Sequence, residues 1–168
     1  FSSSISLYPL NKYFKGWALS PDGSVLSTEI YNITANTTFY AIWEDIKSVN
    51  SINATITAPV LGATPDYEPL YDSNPTGGFT IGGLNWCKVA VENYTGTDKD
   101  NWFGLSSGET FKNGYYYSVD LFFCLNDGYK LADTITGTIN GIPHNDTYGG
   151  VYDSTSTAYL SIVFEPFD

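Results

Sequence analysis

Residues 115–125 read Tyr-Tyr-Tyr-Ser-Val-Asp-Leu-Phe-Phe-Cys-Leu. Large apolar side chains occupy every second position in most of this run: Tyr117, Val119, Leu121 and Phe123. Because side chains along a β-strand point to opposite faces in turn, the pattern predicts a strand with one buried face. No stretch of the chain repeats apolar residues at helical spacing over three turns without an interruption. We therefore expect an all-β fold.

Further apolar runs are predicted as strands, at 52–57, 79–81, 84–91, 134–139 and 158–164. Clusters of Gly with Asn, Asp or Pro separate them, as in antiparallel turns. Six or seven short strands at this spacing are typical of a β-sandwich. Period-two alternation predicts its core to include Trp86, Tyr117, Val119, Leu121, Phe123, Leu160, Ile162 and Phe164.

The N-terminal part reads as a smaller unit. The run from Thr38 to Trp43 predicts a closing strand, and Ser20-Pro21-Asp22-Gly23 predicts a turn because Pro presets φ and Gly tolerates unusual φ values. Residues 46–51 are polar enough to predict a short linker. We expect two units, residues 1–46 and residues 47–168.

The first unit resembles a known bacterial repeat. The matching segments are Tyr13 to Trp17, Pro21 to Gly23, and Thr34 to Glu44. They follow the FxGW, DG-turn and TxxTxYAxW pattern of the Listeria–Bacteroides repeat, also called the internalin B-repeat. The opening strand of that family is absent, so the resemblance implies a truncated repeat. It also implies a secreted or wall-attached bacterial protein.

The second unit resembles an immunoglobulin-like module of surface proteins of Firmicutes. The matching segments are 57–66, the strand holding Trp86, 111–117, 127–129 and 138–141. Leu131 replaces an aromatic residue of the family, and 88–108 is a longer insertion than the family has. The resemblance implies an extracellular antiparallel β-sandwich from a Gram-positive bacterium, following the truncated repeat.

Charge narrows the possible partners. Seven Lys face eighteen carboxylates, which leaves a formal net charge of -11. This charge repels nucleic-acid phosphates and anionic membrane surfaces. No apolar run approaches the roughly 20 residues that cross a bilayer. We therefore expect neither nucleic-acid binding nor membrane insertion.

Residues able to catalyse a reaction are few. The one histidine, His144, lies in a polar segment, and no Gly-x-Ser-x-Gly elbow accompanies it. One His and two distant Cys do not supply a zinc ligand set. We therefore expect no enzyme, with no catalytic residue, cofactor or metal site.

The two cysteines leave an alternative open. Cys87 and Cys124 are predicted on the outward faces of their strands, opposite the core side chains. A disulfide requires them to face each other on neighbouring strands, and an exported protein would permit it. The other possibility is two thiols without a bond.

The best candidate for ligand binding is the long segment 94–108. It carries Trp102 and Phe103 close to Asp98, Asp100 and Asn101. Aromatic rings beside carboxylates and amides suit a sugar, with one face stacked and the edge hydrogen-bonded. The alternative is that Trp102 folds back onto the domain.

Two functions follow from these patterns. One is a non-catalytic spacer or adhesion module of a secreted or cell-wall-attached protein, contacting a host glycoprotein, a polysaccharide or neighbouring domains within the same polypeptide. The other is a carbohydrate-binding module attached to a secreted enzyme.

Overall fold

The computed structural model describes residues 11–29, 33–96, 101–106, 108–143 and 157–168. Its regular structure is almost entirely antiparallel β-sheet, which confirms the all-β prediction. The strands are β1 Lys12–Ala18, β2 Tyr40–Asp45, β3 Lys47–Thr55, β4 Leu70–Asn74, β5 Phe79–Ala90, β6 Phe103–Gly104, β7 Tyr115–Leu125, β8 Tyr129–Ile139, β9 Ile142–Pro143 and β10 Thr157–Phe164. A 3₁₀ helix spans Val91–Asn93. None of the helical structure in these ranges could cross a membrane.

The chain divides into two compact units. The first comprises residues 1–47 and 127–129, and the second comprises 48–126 and 130–168. Residues 127–129 belong to the first unit because the Lys47 N–H donates to Gly128 O at 2.9 Å. The Tyr13 ring also lies against Gly128, where a Cβ would come within 2.6 Å of it. No sequence pattern indicated this association.

The first unit is built on a two-stranded sheet of β1 and β2. Phe14 lies edge-on to two indoles, with ring centroids 5.3 Å from Trp17 and 5.4 Å from Trp43. The predicted Pro21–Gly23 turn is present, since the Gly23 N–H donates to Ser20 O at 3.1 Å. The rings of Phe14, Trp17 and Trp43 form a small aromatic core, in which both tryptophan side chains remain partly exposed.

Gly16 allows a third segment to approach β1. The register of the β1–β2 pair shifts between Phe14 and Gly16, where Gly16 has φ +147°. The Trp17 N–H donates to Ser27 O at 2.8 Å on the other side of β1. A Cβ on Gly16 would lie 2.4 Å from Val25 Cγ1, so a larger residue could not keep this approach.

The second unit contains two four-stranded sheets. Their strand orders are β4-β3-β8-β9 and β10-β7-β5-β6. The long strands β5 and β7 are neighbours in the second of these sheets.

The inner faces of these two sheets touch. The Tyr71 ring of β4 lies edge-on to Phe123 of β7, with centroids 5.3 Å apart. Leu160 of β10 covers Gly137 of β8, where a Cβ would lie 2.2 Å from Leu160 Cδ2. A side chain at position 137 would therefore force this part of the core to move.

The alternation predicted for the core is correct for β7 and for most of β10. Six of the eight predicted core side chains are buried: Trp86, Tyr117, Val119, Leu121, Phe123 and Leu160. Ile162 and Phe164 are partly buried. Phe164 nevertheless stacks on Trp86 with centroids 5.6 Å apart, so it still contributes to the core.

Two strand predictions were wrong. The predicted linker at 46–51 lies mostly within β3, because Val49 and Ile52 are both fully buried despite their polar neighbours. The predicted strands 79–81 and 84–91 form one continuous strand, β5, whose register with β7 shifts between Ile81 and Gly83. A β-bulge at the Gly82-Gly83 pair accommodates this shift in register without ending the strand.

In this structure no disulfide joins Cys87 to Cys124. The two residues do lie on neighbouring strands, but Cys87 faces Ser118 and Cys124 faces Thr80. Six positions along β7 separate Ser118 from Cys124, about 20 Å at the rise of a strand. A disulfide requires Cα atoms within about 7 Å.

We predict that the thiols behave independently. Cys124 is exposed and Cys87 is partly buried, so a thiol reagent should modify Cys124 of the folded protein well before Cys87. In denaturant the two should react at similar rates. An internal disulfide found by mass spectrometry after mild oxidation of the folded protein would contradict the β5–β7 register.

The Tyr117 hydroxyl fastens the start of β7 to the preceding loop. It accepts a hydrogen bond from the Lys112 N–H at 2.7 Å and donates to Lys112 O at 3.2 Å. A tyrosine that bonds back to the backbone a few residues upstream is a feature of the tyrosine corner in β-sandwiches.

Replacing Tyr117 with Phe should lower the free energy of unfolding by about 1–3 kcal/mol, because the Lys112 N–H loses its partner. Tyr116→Phe is the matched control, since it removes a hydroxyl from the neighbouring residue on the opposite face of β7. Denaturant titration of both variants gives the comparison. Equal losses would show that the Tyr117 hydroxyl has no special role.

Candidate ligand-binding loop

The candidate loop leaves β5 through a short helical turn. The 3₁₀ helix Val91–Asn93 follows Ala90 directly, and the Tyr94 N–H donates to Val91 O at 3.3 Å. The Val91 N–H donates to Gly114 O at 3.0 Å. The first turn of the loop is therefore fastened to the residue before β7.

The loop returns along the edge of β5. Strand β6 pairs antiparallel with it, placing Phe103 opposite Lys88 and Gly104 opposite Cys87. The Leu105 N–H then donates to Trp86 O at 2.9 Å. Backbone hydrogen bonds to β5 therefore hold Phe103 in position, independently of the contacts of its side chain.

Three aromatic rings pack together where the loop meets β7. Tyr94 stacks on Tyr116, with centroids 3.8 Å apart and planes 23° apart. Trp102 lies edge-on to Tyr94, with centroids 6.1 Å apart. We call Tyr94, Trp102 and Tyr116 the aromatic cluster. In it Trp102 is partly buried, so its ring is used for packing within the domain.

Phe103 has a different environment from its neighbour. Its side chain is 67% exposed although its backbone is held in β6. Asn101 is also exposed, in the turn before these rings, while Asp98 and Asp100 lie outside the described residues. Of the predicted binding residues, Phe103 is therefore the exposed ring and Trp102 the supporting one.

An ion pair missed by the sequence analysis lies beside the loop. Lys88 Nζ contacts the Glu109 carboxylate and lies 5.2 Å from the centroid of the Tyr115 ring. Glu109 also accepts a hydrogen bond from the Ser106 N–H at 3.2 Å. The Lys88 ammonium and the Ser106 N–H together lower the pKa of Glu109. The only sequence signal was a pair of opposite charges far apart in the chain.

A second polar group lies on the face of β7 and β10 opposite the predicted core side chains. The Ser161 hydroxyl donates to Asp120 Oδ1 at 2.6 Å, and both residues are buried. Burial and the neighbouring Asp120 raise the pKa of Tyr159 far above its ordinary value of 10.0. The Tyr159 phenol is therefore harder to ionise than an ordinary tyrosine.

Glu109→Gln should lower the free energy of unfolding by about 1 kcal/mol at neutral pH, because it leaves Lys88 without its charge partner. Since folding lowers the pKa of Glu109, its contribution is present above the ordinary value of 4.5 and is lost as the pH falls through the folded value. Denaturant titrations at several pH values should show the deficit shrinking in acid. The control is Glu92→Gln, at an exposed carboxylate in the 3₁₀ helix. A deficit independent of pH would contradict the ion pair.

Within the described ranges, no group of three or more His, Cys, Asp or Glu side chains could hold a metal ion. His144 lies outside those ranges. The two family resemblances rest on the residues quoted for them, because comparisons with family models, curated proteins and solved structures find no match to this protein.

Proposed function

We propose that this protein is a non-catalytic module of a secreted or cell-wall-attached bacterial surface protein, acting as a spacer or adhesion unit. The observation that carries the proposal is that ionisable groups beside the candidate loop, and on the face of β7 and β10 opposite the core side chains, are used as structural ties. Lys88 and Glu109 pair with each other. Asp120 accepts a hydrogen bond from Ser161, and burial together with Asp120 raises the pKa of Tyr159. Groups engaged in this way stabilise the frame and are not poised for proton transfer.

The proposed setting is extracellular. Its support is the pair of resemblances, to a Listeria–Bacteroides repeat and to an immunoglobulin-like module of Firmicutes surface proteins. A net charge of -11 also favours solubility and disfavours polyanionic partners. The proposed partners are a host glycoprotein, a polysaccharide or neighbouring domains within the same polypeptide.

A second candidate function is a carbohydrate-binding module attached to a secreted enzyme. The specific observation in its favour is Phe103, an exposed ring on a strand that backbone hydrogen bonds hold to the sheet. A ring presented on a rigid support loses little entropy when it stacks on a sugar. Asn101 is exposed two residues earlier and offers an amide to sugar hydroxyls.

The two functions are separated by a glycan and glycoprotein array probed with the folded protein. If the loop binds, Phe103→Ala should reduce affinity by roughly a factor of ten, since it removes one stacking ring. Trp102→Ala should also reduce it, by removing the support for Tyr94. The matched control is Leu70→Ala, at a residue that is 76% exposed on β4.

Each outcome of the array selects one function. Binding that falls in Phe103→Ala and not in Leu70→Ala supports carbohydrate recognition by the loop. Binding that all three variants retain removes this loop as the site. No binding by the parent protein supports the spacer role, and turnover of a glycan would overturn the non-catalytic proposal.

A further inference from the structure

Two Asn-Gly pairs lie in turns of the second unit. Asn113-Gly114 precedes β7, and Asn140-Gly141 joins β8 to β9. Both glycines have positive φ, +83° and +75°, and a Cβ on either would meet no atom within 4 Å. The two glycines are therefore similar, and any chemical difference between the pairs must come from the asparagines.

Asn-Gly pairs undergo a known spontaneous reaction. The glycine backbone nitrogen loses its proton and attacks Cγ of the asparagine, and the bond between Cγ and Nδ2 breaks with release of ammonia. The product is a five-membered succinimide. Water then opens one of its two carbonyls to give aspartate or isoaspartate. The reaction requires the asparagine side chain to turn towards the following nitrogen.

The side chain of Asn140 is held in place. Its side-chain Oδ1 accepts a hydrogen bond from the Ile56 N–H at 2.8 Å. The backbone N–H of Asn140 donates to Ala54 O at 2.9 Å. Ile56 is 3% exposed, so this contact is shielded from competing water. To react, Asn140 must first break a hydrogen bond to a buried backbone donor.

Asn113 has no such restraint. It lies exposed in its turn, and no hydrogen bond holds its side chain within the described part of the protein. Gly114 is exposed as well, and a Cβ added to it would meet no atom within 4 Å. The Asn113 amide group is therefore free to rotate to the reactive geometry without unfolding any neighbour.

We propose that Asn113 is a site of spontaneous succinimide formation and isoaspartate conversion in the folded protein, and that Asn140 is protected from it. The proposal goes beyond the proposed function and does not depend on any ligand. The modification adds one negative charge and, in the isoaspartate product, one methylene to the main chain.

The added methylene falls at a junction that supports the candidate loop. Gly114 O accepts the hydrogen bond from the Val91 N–H that fastens the 3₁₀ helix before Tyr94. The neighbouring Lys112 is the backbone partner of the Tyr117 hydroxyl. A longer backbone between residues 113 and 114 displaces Gly114 O, and so weakens the anchor of the aromatic cluster.

Peptide mapping tests the site directly. The protein of residues 1–168 is incubated in mildly alkaline buffer at physiological temperature, folded and in denaturant, and digested after lysine. Asn113 and Asn140 then fall on different peptides, 113–130 and 131–168. Conversion raises the mass by about 1 Da. In denaturant both residues should convert at similar rates, whereas in the folded protein Asn140 should be roughly tenfold slower, since it must first break a hydrogen bond.

Two results would overturn the assignment. One is a folded protein in which Asn140 converts as fast as Asn113, and the other is a folded protein in which Asn113 is as strongly protected as Asn140. Asn113→Gln should abolish conversion on its peptide, which checks that Asn126 on the same peptide does not produce the signal.

Hydrogen exchange at Val91 tests the structural consequence. The amide of Val91 should exchange several-fold faster in the isoaspartate form than in the unmodified protein. Asn113→Asp carries the same charge with a backbone of normal length, so its Val91 amide should remain protected. Equal protection in the isoaspartate form and in Asn113→Asp would show that the added methylene does not reach the loop.

Discussion

Burial of Trp86 is the constraint on which the second unit depends. The side chain is almost completely enclosed, and its indole N–H needs a partner there because an unpaired buried donor is costly. Asp66 O supplies that partner at 2.7 Å. Phe111 and Phe164 cover the ring from other directions, with centroids 5.2 Å and 5.6 Å away. Satisfying one side chain therefore positions residues from three separate parts of the sequence.

The loop between β3 and β4 is shaped by this requirement. The Asp66 carboxylate accepts hydrogen bonds from the N–H groups of Thr57 and Glu68, at 3.0 Å and 2.9 Å. The Thr57 side chain, followed by these two N–H groups, lowers the pKa of Asp66. With the carboxylate engaged in this way, Asp66 O is held towards the indole. Phe111 is tied to the same loop, since it exchanges backbone hydrogen bonds with Gly62 and Ala63. The irregular segment between β3 and β4 is thereby bonded to the buried residues Trp86 and Phe111.

Sequence patterns predicted the central strands better than the edges. The bounds of β7 were predicted in full because large apolar side chains recur at every second position from Tyr117 to Phe123, although Ser118 and Asp120 between them are buried as well. Strands β1 and β4 were missed: β4 buries only Ser73 and carries exposed Leu70 and Tyr71, so no apolar face marks it. The start of β8 was missed because polar residues there pair in the sheet through backbone bonds. Whether such a segment forms a strand depends on the strand that it pairs with, and its own sequence does not show this.

The candidate loop was predicted only in part, for a related reason. Its aromatic residues were visible in the sequence, but which ring is exposed depends on Tyr94 and Tyr116 meeting across the loop. The pairing of Lys88 with Glu109 likewise joins residues whose spacing in the sequence suggests no contact. Gly23 shows the same limit on a smaller scale. The turn was predicted from the φ freedom of glycine, but Gly23 is not among the glycines with positive φ, and a Cβ there would instead lie 2.7 Å from Ser20 Oγ, which would have to move.

Both ends of the loop are held by main-chain atoms of the sheet. Gly114 O binds the Val91 N–H at the beginning, and Trp86 O binds the Leu105 N–H at the end. Neither bond involves a side chain of the loop, so substitutions between these anchors leave them in place. Because burial of its indole holds Trp86 in place, it also positions Trp86 O, the acceptor at the end of the loop. A frame of this kind lets surface residues such as Phe103 vary with little cost to folding, which is how rigid β-domains present variable binding chemistry.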